Sequence, residues 1–158
     1  GPNFAISPHT TSPGAHTHAE KTVSLLNTYL TDKLHTPAFH ATSETRLITH
    51  HIDCNSKNVI YMIQCNHCSK QYTGETKRRL KYRFNEHLRP VDNPSSISKP
   101  TTVLEHFLTN DHSANDFRLI PLEFIKSNRG SVRKAREAHL IERGKTLEPS
   151  GINKRDEM

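Results

Sequence analysis

Residues 58–74 read NVIYMIQCNHCSKQYTG, and the fold of the chain is decided there. Asn58–Gln64 is a short apolar run rich in β-branched and aromatic residues, the composition of a buried strand. A turn over Cys65–Ser69 and a second short strand at Gln71–Thr73 complete a β-hairpin. Its two arms carry Tyr61 and Tyr72, and its tip carries the pair Cys65 and Cys68.

Beyond the hairpin the pattern changes from a strand period to a helical one. Thr76 offers an N-cap, Leu80, Phe84 and Leu88 recur at intervals of four, and Pro90 is expected to end this helix. Its other face is basic: Lys77, Arg78, Arg79, Lys81, Arg83 and Arg89 stand against Glu86. After a Pro/Ser loop over residues 91–99, Thr101–Leu108 reads as a second helix with Val103, Leu104, Phe107 and Leu108 inward. Phe117–Ile125 reads as a third strand and Ser131–Arg143 as a third helix, ended near Gly144. The order β-β-α-α-β-α makes this an α+β domain.

Before the hairpin, residues 1–18 are rich in Pro, Ser, Thr and His, and read as a flexible lead-in. Val23, Leu26, Leu30 and Leu34 mark one face of a short helix over residues 19–35, and Arg46–Thr49 is a possible short strand. The division is therefore a lead-in over 1–45 and a domain over 46–158.

A chain of 158 residues suits one core and one active site. With 32% hydrophobic and 24% charged residues it is polar for a globular protein. The formal charge of +6 and twelve histidines favour a polyanionic partner, with nucleic acid first among them. Aromatic content of 6% gives little support to stacking on single strands, and backbone contacts imply low sequence specificity. No apolar run approaches the ~20 residues that span a bilayer, and no secretory leader is evident, so a soluble intracellular protein is expected. The leading Gly1-Pro2 without a Met suggests a fragment.

Three cysteines is an odd number, and a Cys-x2-Cys pair without a secretory signal reads as a metal site before a disulfide. Cys65 and Cys68 at a hairpin tip would supply half of a tetrahedral zinc site. His106 and His112, with five residues between them, would complete it. Cys54 is the chief rival ligand, and His50, His51 and His67 are further candidates. Such a zinc would be structural, stabilising a small polar core.

Val59-Ile60-Tyr61, Tyr72-Thr73-Gly74, Leu80-x2-Arg83-x3-His87 and the later Arg136-Glu137 and Lys145–Asn153 segments together resemble the GIY-YIG endonuclease superfamily, over roughly residues 52–154. Val59 stands where the family name has Gly, and Thr73 where Ile or Val is usual. The resemblance implies a small three-stranded antiparallel sheet flanked by helices, and hydrolysis of DNA phosphodiesters. It further implies that Glu137 holds Mg2+ or Mn2+, that Tyr61 and Tyr72 lie side by side with Tyr61 favoured as the base, and that Arg83 grips the scissile phosphate. His87 would contact substrate or pass a proton, and Asn153 would steady the phosphate or the glutamate. Lys77, Arg78, Arg79, Lys81 and Arg89 would hold the DNA backbone.

More narrowly, the Cys-x2-Cys between the tyrosine motifs and the later histidines are similar to the endonuclease domain of Penelope-like retroelements. That likeness implies nicking for target-primed integration, element RNA or a reverse transcriptase as partners, and a nuclear or cytoplasmic location. Two other readings keep the same residues: an inactive nucleic-acid-binding remnant, and a zinc-stabilised interaction module.

Overall fold

The computed structural model describes residues 38–45, 51–93, 101–109 and 112–157. The helix expected over residues 19–35, the strand expected at Arg46–Thr49 and the candidate ligand His50 lie outside the described residues. Among the described residues, no helix is long and apolar enough to cross a membrane.

A two-residue ladder joins β1 (Ala38–Phe39) to β2 (Glu44–Thr45). The main sheet follows, with β3 (Val59–Cys65), β4 (Gln71–Thr76) and β5 (Phe117–Phe124) in the order β4-β3-β5, all antiparallel. Three helices flank it: α1 (Leu80–Asp92), α2 (Thr102–Thr109) and α3 (Gly130–Gly144). This is the α+β architecture and element order that the sequence pattern calls for.

β3 is central and covered on both faces, which is why its sequence is apolar at both parities instead of alternating. Val59, Tyr61, Ile63 and Cys65 face a core made with Leu80, Phe84 and Leu88 of α1, Val103, Leu104 and Phe107 of α2, and Phe117 and Leu119. Ile60 and Met62 face the other way, against Ile120, Leu122, Ile125, Leu140 of α3 and Phe39. Phe39 is buried against the α3 side, where a Cβ on Gly144 would overlap its ring. Packing thus starts upstream of residue 46, the boundary expected from composition.

Several local expectations change. Thr76 does not cap a helix: it is the last residue of β4, paired with Val59, and its hydroxyl accepts from the Arg78 N–H at 3.1 Å. α1 starts four residues later, with Lys77, Arg78 and Arg79 outside it. Its first amides are satisfied by the loop before β3, where Leu80 N–H donates to Ser56 O and Lys81 N–H to Cys54 O, both at 2.9 Å. Pro90 does not end α1, which runs on to Asp92. Proline removes only its own amide from the ladder, and this near the C-terminus the helix can continue. Asn93 N–H closes the end on Arg89 O at 2.8 Å. Leu108 points outward, 45% exposed, in place of the inward position expected for it. α3 stops at Lys145, which takes the left-handed conformation with φ 51°.

The two outer strands are handled differently. The β5 edge carries Pro121 at a register shift opposite Ile60 and Tyr61, a place where a missing amide does least harm. The β4 edge is covered by the segment after α3, where Ile152 N–H donates to Gln71 O at 2.8 Å.

Candidate active site and metal centre

Tyr61 sits opposite Gly74 across the β3–β4 ladder. A Cβ on Gly74 would stand 2.6 Å from both Cζ and Oη of Tyr61, so the phenol ring lies across the backbone of β4. Only glycine leaves that space. Gly74→Ala should displace the ring and destabilise the fold by about 1–3 kcal/mol through overpacking, which chemical unfolding of the variant beside the parent checks.

The Tyr61 hydroxyl lies 2.7 Å from His87 Nε2 and accepts a hydrogen bond from Arg83 Nε at 3.1 Å. Arg83 and His87 are four residues apart on α1, one turn of one helical face. Tyr72 pairs with Ile63, two residues along from Tyr61, so the phenols are diagonal neighbours on one face, not side by side. The His87 ring stands edge-on to both, with centroids at 5.7 and 5.8 Å.

Arg83 Nε donates to the phenol oxygen, and with His87 Nε2 unprotonated the phenol proton has an acceptor there. Burial and the Arg83 charge push His87 down to about 3, in agreement with a neutral ring. Burial pushes Tyr61 up to about 12; Arg83 pulls it down, and the charges of Glu137 and Glu75 push it up again. The resting trio is therefore phenol, neutral imidazole and guanidinium.

An unfolded His87 titrates near 6.5 and the folded one near 3, so between those values the unfolded chain binds more protons. The contribution of the neutral buried ring to stability is complete above pH 6.5 and lost as pH falls towards 3. Urea midpoints measured from pH 7 to pH 4 should fall less steeply for His87→Gln than for the parent.

Glu137 lies on the buried stripe of α3 with Arg133 and Leu140, 7% exposed. Its carboxylate is close enough to raise the Tyr61 phenol. One turn earlier, Arg133 Nε donates to Glu75 Oε2 at 2.8 Å and Nη1 to Asn58 Oδ1 at 3.1 Å. Burial opposes ionisation of Glu75, but Arg133 and Lys134 outweigh it and hold the carboxyl below its ordinary range. This clamp fixes α3 to β4 beside Gly74. Sequence reading missed it; the spacing of Arg133 and Glu137 by four was its available signal.

Asn153 is buried, and its side chain serves the β4 edge. Thr73 N–H donates to Asn153 Oδ1 at 2.8 Å, Asn153 Nδ2 donates to Thr73 O at 3.0 Å, and the Thr146 hydroxyl donates to Oδ1 at 2.7 Å. The amide thus completes a strand edge next to the tyrosines, where the expectation had it on phosphate or glutamate.

At the other end of β3, Cys65, Cys68, His106 and His112 bring their ligand atoms within 4.8 Å of one another. Cys65 Sγ is 3.2 Å from His112 Nδ1, and Cys68 Sγ is 3.3 Å from His106 Nε2. A tetrahedral zinc with ordinary bond lengths needs S···N edges of about 3.6 Å, so the donors and their spacing fit the metal. Burial pushes the Cys65 thiol up to about 11, and burial with His112 and Lys70 holds His106 down to about 4, neutral and fit to coordinate. Cys54 is buried in the α1-side core and lies outside this group, as do His51, which pairs with Asp53 at 3.4 Å, and His67, whose ring lies 4.4 Å from that of His112.

The basic surface is split between the turn before α1 and the helix itself. Lys77, Arg78, Arg79 and Arg89 are exposed, and Lys81 lies 5.3 Å from the ring centroid of exposed Tyr82.

The family model of the GIY-YIG catalytic domain matches residues 57–153, from the loop before β3 to Asn153. The chain belongs to the GIY-YIG family. Comparison with curated proteins and with solved structures gave no significant match. The GIY-YIG domain is a nuclease domain, with DNA as its implied substrate and a divalent metal as its usual requirement. Both tyrosines, Gly74, Arg83, His87 and Glu137 fall within the matched GIY-YIG region, as does the Cys/His group.

Proposed function

We propose that the protein is a metal-dependent DNA endonuclease that nicks one strand. The observation that carries this reading is the hydrogen-bonded trio of Tyr61, Arg83 and His87 beside the buried Glu137 carboxylate. Glu137 would hold Mg2+ or Mn2+, a hard cation that takes one carboxylate and fills its shell with water and phosphate oxygens. Bound there, the cation would supply charge neutralisation at the phosphate.

The chain's own residues would do the rest. Arg83 donates to a phosphate oxygen, and its planar head can do so while Nε stays on Tyr61. Tyr61 accepts a proton from the attacking water as its own proton passes to His87 Nε2, along the 2.7 Å contact already formed. The approaching phosphate offsets the Arg83 charge and so raises the basicity of His87. Tyr72 packs edge-on against the His87 ring. Lys77, Arg78, Arg79, Lys81 and Arg89 hold the backbone on either side, and Asn153 acts as a positioning residue for the β4 edge. Cys65, Cys68, His106 and His112 would hold zinc, which would tie the hairpin tip to the end of α2.

Supercoiled plasmid with Mg2+ or Mn2+ tests the proposal. The parent protein should produce open circles, and Glu137→Ala should not. Cleavage that survives both Arg83→Ala and Glu137→Ala would overturn it. A second reading, a DNA-binding remnant without turnover, is favoured by the complete burial of Tyr61. It requires salt-dependent binding with no nicking under any metal. The role in retroelement integration, with element RNA or a reverse transcriptase as partners and a nuclear or cytoplasmic location, is supported by the Cys/His group between and after the tyrosine motifs. Nicking of a primed target with coupled reverse transcription would test it.

A further inference from the structure

On the outer side of Arg83 sits the carboxylate of Glu86. Arg78 Nη2 and Arg83 Nη1 converge on the same oxygen, Glu86 Oε1; the Arg83 contact is 3.8 Å, and the Arg78 contact is a direct ion pair. The two guanidiniums come from different places, one from the turn after β4 and one from α1, yet they meet on one atom. Arg83 also holds Tyr61 through Nε. An anion in this seat therefore stands one guanidinium away from the phenol.

We infer that Arg78 and Arg83 form a single phosphate seat, and that Glu86 is an internal competitor filling it until a DNA backbone phosphate displaces it. This rests on the nuclease reading and adds to it a place for one phosphodiester oxygen and a residue that opposes its entry. The chemistry is simple exchange. A carboxylate and a phosphodiester each carry one negative charge and accept two guanidinium hydrogen bonds. Glu86 and Arg78 are about half exposed, so the internal pair is weak enough to open. Glu86 is also an acid among the basic residues of α1, and removing it would help any polyanion bind; the test must separate a local seat from this general effect.

Binding of a fluorescent DNA duplex, measured without divalent metal across a salt series, separates them. Glu86→Gln should tighten binding by about 5- to 10-fold and steepen the plot of log affinity against log salt by about one phosphate contact. Glu142→Gln, the same charge change at an exposed position on α3, should change affinity less than 2-fold by comparison with that gain, as distant exposed charges are screened. In an Arg78→Ala background the gain from Glu86→Gln should shrink to about that of the control, because contacting residues are not additive. Equal effects of Glu86→Gln and Glu142→Gln, or a gain undiminished in the Arg78→Ala background, would overturn the seat. Normal binding behaviour with no plasmid nicking would uphold the seat and defeat the endonuclease reading, whereas absence of DNA binding by every variant would defeat both.

Discussion

Tyr61→Phe will lower plasmid nicking by about 10²- to 10⁴-fold, the range lost when a positioned acid–base group is removed. The substitution is chosen for what it preserves. Phe keeps the ring that lies over Gly74 and fills the α1-side core, so the fold changes little. It removes only the oxygen on which Arg83 Nε and His87 Nε2 converge. The buried His87 ring and the part-buried Arg83 Nε then lose their partner, which costs about 1–3 kcal/mol of stability for the buried group left unsatisfied. DNA binding should stay within a few fold, since the exposed cations are untouched. Nicking by Tyr61→Phe within 10-fold of the parent would exclude the phenol from proton transfer.

The second large effect is at the other end of β3. Metal removal by a strong chelator, or Cys65→Ser, should unfold much of the domain. Structural zinc contributes about 10–16 kcal/mol in small metal-coupled folds, as large as the whole ~5–15 kcal/mol that holds a typical domain together. The group joins the hairpin tip to residues on and after α2, and Phe107 beside His106 packs into the α1-side core with Phe84 and Phe117. Its loss would therefore spread from the tip into the face that carries Tyr61. Metal analysis should find about one zinc per chain, the donor set of one tetrahedral site, and thermal melting should drop by more than about 10 °C on chelation, as ~1 kcal/mol is worth ~2–4 °C in a chain of this size. Cys54→Ala should keep the metal, since its thiol lies outside the group. An unchanged melting curve after verified metal removal would assign the four ligands to a chance cluster.

Much of the domain could be read from local pattern. The strand–turn–strand over residues 58–74 carries its own evidence, because a doubly covered strand needs apolar residues at both parities and a hairpin tip needs turn residues. The helical runs are legible for the same reason. Errors came where tertiary partners replaced local signals. Thr76 looked like an N-cap because capping is normally done by a side chain, but the carbonyls of Cys54 and Ser56 do it here. Pro90 looked like a stop, and the helix passed it near its natural end. Leu108 looked inward because periodicity marks a stripe without saying how wide the neighbouring surface is.

The site divides along the same line. By itself the sequence determined which chemical groups are available: the tyrosines, Arg83 with His87 one turn later, a late glutamate, a basic stretch, and two Cys/His pairs at metal-ligand spacing. Residue type and short spacing suffice for these, since both are local properties of a chain with fixed helical and strand periods. Only the tertiary structure decided their partners. It set Tyr61 across Gly74, brought its hydroxyl against His87 and Arg83, turned the Asn153 amide to Thr73, tied Arg133 to Glu75, placed Cys54 outside the metal group and brought Arg78 and Arg83 onto one oxygen of Glu86. Hydrogen bonds act over about 3 Å and depend on direction, so separations of up to 80 residues must be closed by packing before any such pairing exists.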